Sequence, residues 1–445
     1  MTVATAGRGG GAELPRLAVL LDFGAASPLS ILAAARGLAD VVFLCDRSLS
    51  YVASRFDELS VLAATYDITG RTAQELEDVV DRAGLAGITT FSESQLNRTA
   101  ALAHGRGWAF LTPEAARAAT DKYLQRRLLA EAGVQATRCR AVRQVADLAA
   151  ALAEVGLPAV LKPRSGAAGA RTCRVTSHAD AAARLRDFLS GPGMSGREFV
   201  VEEILAGDPS AAGPGWGDYV SVESITHRGV TRHVEITGKF PLAAPFRETG
   251  YVVPSTLSES DRRRVLDLTS AALAALGVRD GATHVEVKLT PAGPRVIEVN
   301  GRVGGYVADL IRRARGFDLI RAALLVALDR DDDQPAGAYR RHTFQYFLTP
   351  PMEAAAVRRF DGVEELDRHH GVTVETFKQV GDALDWRDGT LTYLGIVHGS
   401  GRDHRDVLDL VDRVNRTLRI EYVAAGAAPV RQRTGIVDAT VNYTE

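Results

Sequence analysis

The sequence predicts an α/β domain followed by a larger α+β assembly, and three observations carry that prediction. Apolar runs alternate with helical stretches over residues 16–117. A strand, a glycine loop and a second strand follow one another from Pro158. Two further segments, His284–Lys288 and Val296–Arg302, alternate apolar and polar residues with the period of half-buried strands.

Leu17 to Leu21 is an apolar run ending at Asp22, followed by a Gly/Ser/Pro loop and an Ala-rich helical stretch from Pro28 to Leu38. Val41 to Leu44 and Gly87 to Phe91 read as two more buried strands. Such runs between helices predict a parallel sheet covered on both faces. No G-x-G-x-x-G follows the first strand, so a dinucleotide fingerprint is absent. From Thr120 the character changes: Thr120-Asp121 offers an N-cap for a helix that carries Lys122 and ends at Gly133. A compact α+β segment extends to Gly207, and the Gly/Pro-rich stretch Asp208 to Gly217 reads as an exposed loop insertion. A sheet-rich part runs to Asp329. The acidic run Asp329 to Asp333 reads as a solvated loop, and a final α+β portion includes a strand from Thr392 to Val397.

The two acidic strands are separated by Thr290-Pro291-Ala292-Gly293-Pro294, which favours a turn. Folding them back about Ala292 sets Glu286 opposite Glu298 and His284 opposite Asn300. Opposed side chains in a hairpin lie roughly 5 Å apart, and like charges there are destabilising. Two such carboxylates beside an amide oxygen point to a hard cation, and magnesium fits an all-oxygen set completed by water and phosphate.

Bulk properties bound the alternatives. With 445 residues the chain is long enough for about three domains. A net charge of −2 gives no support to a nucleic-acid or membrane-surface role. The three cysteines, Cys45, Cys139 and Cys173, have no metal-ligand spacing and no disulfide pattern, so a reducing, cytoplasmic location is expected. Met1 to Gly11 lacks a basic segment followed by an apolar core and reads as a loose tail; no apolar run is long enough to span a bilayer.

Pro158-Ala159-Val160-Leu161-Lys162-Pro163 is a strand ending in a lysine, and it leads into Ser165-Gly166-Ala167-Ala168-Gly169-Ala170. Small residues there let backbone N–H groups approach phosphate oxygens, although the spacing is not that of a Walker A loop. Phe199-Val200-Val201-Glu202-Glu203-Ile204-Leu205 is an apolar strand running into two glutamates, an edge suited to a flat heterocycle.

In this order the elements resemble the ATP-grasp superfamily, over roughly residues 16 to 400, with I-E-V-N-G-R-x-G-G the most specific part. Within it the chain looks most like the carboxylate–amine ligases that join amino acids or short peptides, and more loosely like biotin carboxylase and the ligases of purine synthesis. The resemblance implies an ATP-grasp fold: a Rossmann-like pre-ATP-grasp domain (1–117), a linker helix with a mobile lid (118–207), and an ATP-grasp body with the metal and substrate site (208–445).

Carried over by position, Lys122 and Lys162 match the phosphate-contacting lysines, and Ser165, Gly166 and Gly169 the phosphate-covering loop. Glu202 matches the adenine amino-group acceptor, with Glu203 and Leu205 at backbone contacts to the base. Asp218, displaced by the stretch Pro209–Gly217, matches the ribose acid. Glu286, Glu298 and Asn300 match the magnesium ligands, and Arg302 the arginine on the acyl phosphate. Lys239 is a further catalytic candidate; Glu248, His284 and Tyr306 are substrate candidates, and His369, His370 and His398 read as structural or exposed. The resemblance thus implies ATP and magnesium (two ions, with manganese as a substitute), small-molecule acid and amine substrates, a possible homodimer, and amide formation through an acyl phosphate, as in natural-product biosynthesis. The rivals are a carboxylating enzyme that uses bicarbonate, a non-catalytic ATP-binding subunit, and a phosphotransferase.

Overall fold

Four segments of the N-terminal region form an all-parallel sheet: β1 (Arg16–Leu21), β2 (Asp40–Cys45), β3 (Ala64–Asp67) and β4 (Leu85–Thr89), in the order β3-β2-β1-β4. We describe them in a computed structural model that covers residues 13–335, 337–369, 371–424 and 427–431; the tail Met1–Gly11 and His370 lie outside this range. β1 is buried along Leu17–Leu21, as expected of a strand covered on both faces. The helix Pro28–Ala35 starts where the sequence places it: the Ser27 hydroxyl accepts the Ser30 N–H, and proline occupies the first turn. β3 escaped the sequence reading because it is a short, half-buried edge strand with no apolar run.

This sheet is joined to the rest of the chain through the apolar helix Leu319–Ala327. At the join, a Cβ on Gly87 would fall 2.0 Å from the Ala327 carbonyl oxygen. Gly87→Ala is therefore expected to destabilise the protein by about 1–3 kcal/mol through overpacking, read as a lowered melting temperature. A melt superimposable on the unsubstituted protein would refute that close approach.

A second sheet is antiparallel and contains β5 (Cys139–Val142), β6 (Ala159–Pro163), β7 (Cys173–Val175) and β8 (Phe199–Glu203), ordered β5-β8-β6-β7. It closes on the helices Leu148–Val155 and His178–Ser190 around its own core, which includes Leu161, Val175, Phe188 and Phe199.

The remaining strands are β9 (Tyr219–His227), β10 (Val230–Lys239), β11 (Gly250–Val253), β12 (Gly281–Thr290), β13 (Gly293–Asn300), β14 (His342–Phe347), β15 (Ala354–Asp361), β16 (Thr373–Thr376), β17 (Gly395–Gly401), β18 (Arg419–Ala424) and β19 (Ala427–Arg431). Eight of them form one sheet, β13-β12-β9-β10-β11-β14-β17-β16, and β15-β18-β19 form another.

Three expectations are corrected. The loop Asp208–Gly217 is not simply exposed: Trp216 is buried, its ring centroid 5.0 Å from that of Phe240. The acidic run is not merely solvated, because Asp329 pairs with Arg228 at 2.8 Å and with His227 at 3.0 Å, while Asp332 pairs with Arg232 at 3.1 Å. The strand expected from Thr392 begins only at Gly395, since Trp386–Thr392 forms tight 3-10 turns instead.

Candidate active site

The hairpin β12–β13 folds with Glu286 opposite Glu298 and His284 opposite Asn300, as the alternation predicts. Its turn is the two-residue Pro291-Ala292, and a bulge at Ile297 supplies the residue that restores the register at the acidic end. The Asn300 amide nitrogen donates to the His284 carbonyl at 3.3 Å, which leaves Oδ1 turned toward Arg302, 3.4 Å from its Nη2. Among the described residues no three His, Cys, Asp or Glu side chains converge as a metal cage. Two carboxylates and an amide oxygen in one cleft nevertheless fit magnesium, which keeps several waters and takes phosphate oxygens.

That cleft encloses a cavity of about 180 Å³. Lys122, Lys162, Gly166 and Gly169 line one side of it, and Glu202, Glu203 and Leu205 line the edge. Glu248, Glu286, Glu298, Asn300 and Arg302 line the remainder. The structure thus brings together twelve of the sequence candidates.

Lys122 opens the helix Lys122–Glu131, whose first turn is capped by the Asp121 carboxylate accepting from Tyr123 and Leu124. Its ammonium donates to the Gly166 carbonyl at 2.7 Å and lies 2.9 Å from Glu298. Burial alone would lower its pKa, but Glu298, with Glu93 and Glu202 adding to it, outweighs burial and raises it. Lys162, on β6, pairs with Glu202, which also takes the Arg126 guanidinium at 3.0 and 3.3 Å. Burial raises the Glu202 carboxyl, yet Arg126 and Lys162 together hold it down to about 2. Arg126 reaches on to the Ile297 and Val296 carbonyls, tying the β8 edge to the β12–β13 hairpin. The sequence reading missed Arg126; its position four residues after Lys122, on the same helix face, was the available signal.

The glycine loop between β6 and β7 carries positive φ at Gly166 (142°), Ala168 (58°), Gly169 (64°) and Arg171 (50°). Such turns direct successive N–H groups into a concavity suited to anions.

At the other end, Arg302 is held on three sides: its Nε lies 3.0 Å from Glu93 Oε2, its Nη1 donates to the Val303 carbonyl at 3.0 Å, and its Nη2 faces Asn300. Glu93 comes from the turn after β4, so the N-terminal sheet supports the cleft wall through Arg302. Burial pushes its carboxyl up against the opposing pull of Arg302. Nothing in the local sequence marks Glu93, because its partner Arg302 lies far away in the chain.

Five candidates sit elsewhere than expected. Lys239 is fully buried beneath the cleft, 2.9 Å from Glu248 and 3.8 Å from the Tyr251 ring centroid. With the Tyr251 hydroxyl donating to the other Glu248 oxygen at 2.6 Å, Lys239 orients Glu248 and does not reach the cavity. His284, on β12, is likewise buried away from the cleft, its Nδ1 2.5 Å from Glu223 on β9 and its Nε2 3.5 Å from Glu286. Burial is the largest influence and lowers its pKa, but Glu223 and Glu286 together outweigh it and raise it to about 9, so an imidazolium lies between two carboxylates. A Cβ on Gly304 would come 2.6 Å from His284 Nδ1, which explains a glycine there. Tyr306 starts the helix Val307–Arg315 with φ 61°, and its hydroxyl bonds that of Tyr393 at 2.6 Å, away from the cavity lining. Asp218 is taken by Lys288 at 2.6 Å, and it is Lys288 that lines the cavity. Ser165 is outside the lining while its glycine neighbours are in it. His398 is buried near Glu375 and Asp309, and the side chain of His369 lies outside the described residues.

Residues 155–309 match the profile of the ATP-grasp domain. The chain is 28% identical over 277 residues to alanine–anticapsin ligase of Bacillus subtilis (strain 168), covering 59% of this chain and 58% of that protein. It is 30% identical over 278 residues to carnosine synthase 1 of Homo sapiens, covering 57% of this chain and 32% of that protein. The match therefore spans about half the length of the first curated relatives. Among solved structures, an L-amino acid ligase from Bacillus licheniformis superimposes with a TM-score of 0.73 at 21% identity, over 93% of this chain and 100% of that one. An ADP complex of an N5-carboxyaminoimidazole ribonucleotide synthetase gives a TM-score of 0.66 at 14% identity, over 90% and 97%. At those identities the likeness is one of fold.

Proposed function

We propose, on the premise that this chain carries an ATP-grasp domain within an ATP-grasp fold, that it is an ATP-dependent carboxylate–amine ligase. The observation that supports this best is the single cleft in which a glycine loop, Lys122, Lys162, two opposed carboxylates with an amide, and Arg302 all meet. Phosphoryl transfer to a carboxylate gathers anions, and stabilising them needs fixed cations and oriented N–H groups.

In this reading the base of ATP lies along Glu202, Glu203 and Leu205, and the glycine loop with Lys122 and Lys162 covers the phosphates. Glu286, Glu298 and Asn300 would hold magnesium, as two ions or with manganese in its place, and the metal would supply charge neutralisation for phosphoryl transfer. The substrate carboxylate oxygen attacks the γ-phosphorus and ADP leaves, giving an acyl phosphate beside Arg302. A guanidinium suits this place because it forks onto two oxygens and stays charged. The amine nitrogen then attacks the acyl carbon, phosphate departs, and the nitrogen loses a proton to give the amide. Glu248, oriented by Lys239 and Tyr251, would receive an ammonium group of a substrate. Lid closure over the cleft keeps water from the acyl phosphate. We further propose the 1–117, 118–207 and 208–445 division, small-molecule acid and amine partners, a homodimer and a cytoplasmic location; among the described residues no helix is long and apolar enough to cross a membrane.

The test is phosphate release with ATP and magnesium against a matrix of amino acids and short peptides, with bicarbonate as a separate arm and mass detection of products. Release that requires an acid and an amine, with a product mass equal to their sum minus water, is the expected result. Release driven by bicarbonate would move the chain to the carboxylating branch. ATP binding without any release would favour the non-catalytic reading.

A further inference from the structure

Among the described residues of the C-terminal region, the segment Trp386–Thr392 is the part that enters the cleft, through Thr390. It touches three elements. Toward the glycine loop, the Thr390 N–H donates to the Ala168 carbonyl at 2.8 Å, and the Arg171 N–H donates to the Arg387 carbonyl at 2.8 Å. Toward the substrate side, the Thr390 hydroxyl accepts the Glu248 N–H at 3.1 Å, and Arg247 donates to the Thr392 hydroxyl at 3.4 Å. Toward the lid helix His178–Ser190, the Trp386 ring meets Phe188 edge-on at 6.0 Å, and Arg387 pairs with Asp187 at 2.9 Å.

Between these contacts lies Gly389, with φ 67° and ψ −137°, a conformation that L side chains avoid. A Cβ there would fall 2.1 Å from the Ala168 carbonyl oxygen and 2.6 Å from the Ala170 nitrogen. The backbone of the C-terminal segment is thus in direct contact with the backbone of the phosphate-covering loop, and only glycine permits it. Thr390, the next residue, bonds the loop through its main chain and the Glu248 main chain through its side chain.

We propose that Thr390 is a positioning residue that couples the glycine loop to Glu248, so that docking of the C-terminal segment sets the closed position of the loop and the placement of Glu248 together. The proposal deepens the ligase reading and rests on it for its catalytic consequence. A loop that loosens from Thr390 and Gly389 admits water to the cleft, and an acyl phosphate reached by water is hydrolysed: oxygen of water attacks phosphorus or the acyl carbon, and acid and phosphate are returned with no amide.

The test compares Thr390→Val, Thr390→Ser and Gly389→Ala in the full chain, by two readouts. The first is amide formed per phosphate released. Thr390→Val removes the acceptor for the Glu248 N–H and is expected to lower this ratio about tenfold, with Thr390→Ser restoring it. The second is deuterium uptake of the amides in residues 166–171 with ATP and magnesium present. Uptake is expected to rise in Gly389→Ala and, to a smaller extent, in Thr390→Val, while the remaining core stays protected. Wild-type uptake in both variants would overturn the coupling whatever the product of the enzyme. A Thr390→Val ratio equal to that of the unsubstituted protein, or no rescue by serine, would overturn the positioning role. Absence of any amide in the unsubstituted protein would instead count against the ligase reading and leave the uptake result to decide the coupling.

Discussion

Arg302→Ala is expected to lower kcat by about 10²–10³-fold, the usual effect of deleting one preorganised donor to a developing anion, with little change in KM. The guanidinium is already fixed by Glu93, the Val303 carbonyl and Asn300, so no reorganisation is needed as charge accumulates on the acyl phosphate or the tetrahedral oxygen. Removing it leaves Glu93 buried without its cation, and burial then favours the protonated acid, which limits the cost to folding. Arg302→Lys keeps the charge but loses the fork, and is expected to recover only part of the rate. Steady-state kinetics of both variants check this. A raised KM with an unchanged kcat would show that Arg302 only binds the ground state.

Glu298→Gln is expected to reduce turnover by about two to three orders of magnitude, the equivalent of roughly 3–4 kcal/mol of lost charge stabilisation at the phosphates. An amide oxygen is a poorer ligand than a carboxylate for a hard cation, so partial recovery at high magnesium is expected. The substitution also takes from Lys122 the charge 2.9 Å away that keeps its ammonium favoured against burial. Folding is expected to be preserved, because the change relieves repulsion with Glu286 across the hairpin and leaves the apolar residues Val296 and Val299 packed. A magnesium titration of rate, together with a thermal melt, checks both parts. Full activity at ordinary magnesium would remove Glu298 from the metal site.

Where the sequence reading succeeded, the signal was local. The period-2 alternation of β12 and β13 and the Pro291-Ala292 turn carried the facing of Glu286 and Glu298, although the bulge at Ile297 that makes the register work left no trace in composition. The Asp121 cap and the Lys162–glycine loop order were readable for the same reason. Lys239 and His284 were singled out as residues in reach of substrate, yet both are buried one layer beneath the cleft. Alternation assigns a side chain to a face of a sheet and says nothing of how deeply neighbouring elements bury that face.

The sequence by itself determined the first buried strands, the capped helix that carries Lys122, the acidic hairpin and the small-residue loop, because propensity, capping and turn chemistry act over a few residues. Only the tertiary structure decided which charged and polar groups meet: Arg126 with Glu202, 76 residues apart, Glu93 with the sequence-distant Arg302, His284 with Glu223 on the adjacent strand, and Thr390 with both the glycine loop and Glu248. Those pairings arise when burial strips water from ionic and polar groups brought together by distant segments, and each group must then find its partner inside the fold.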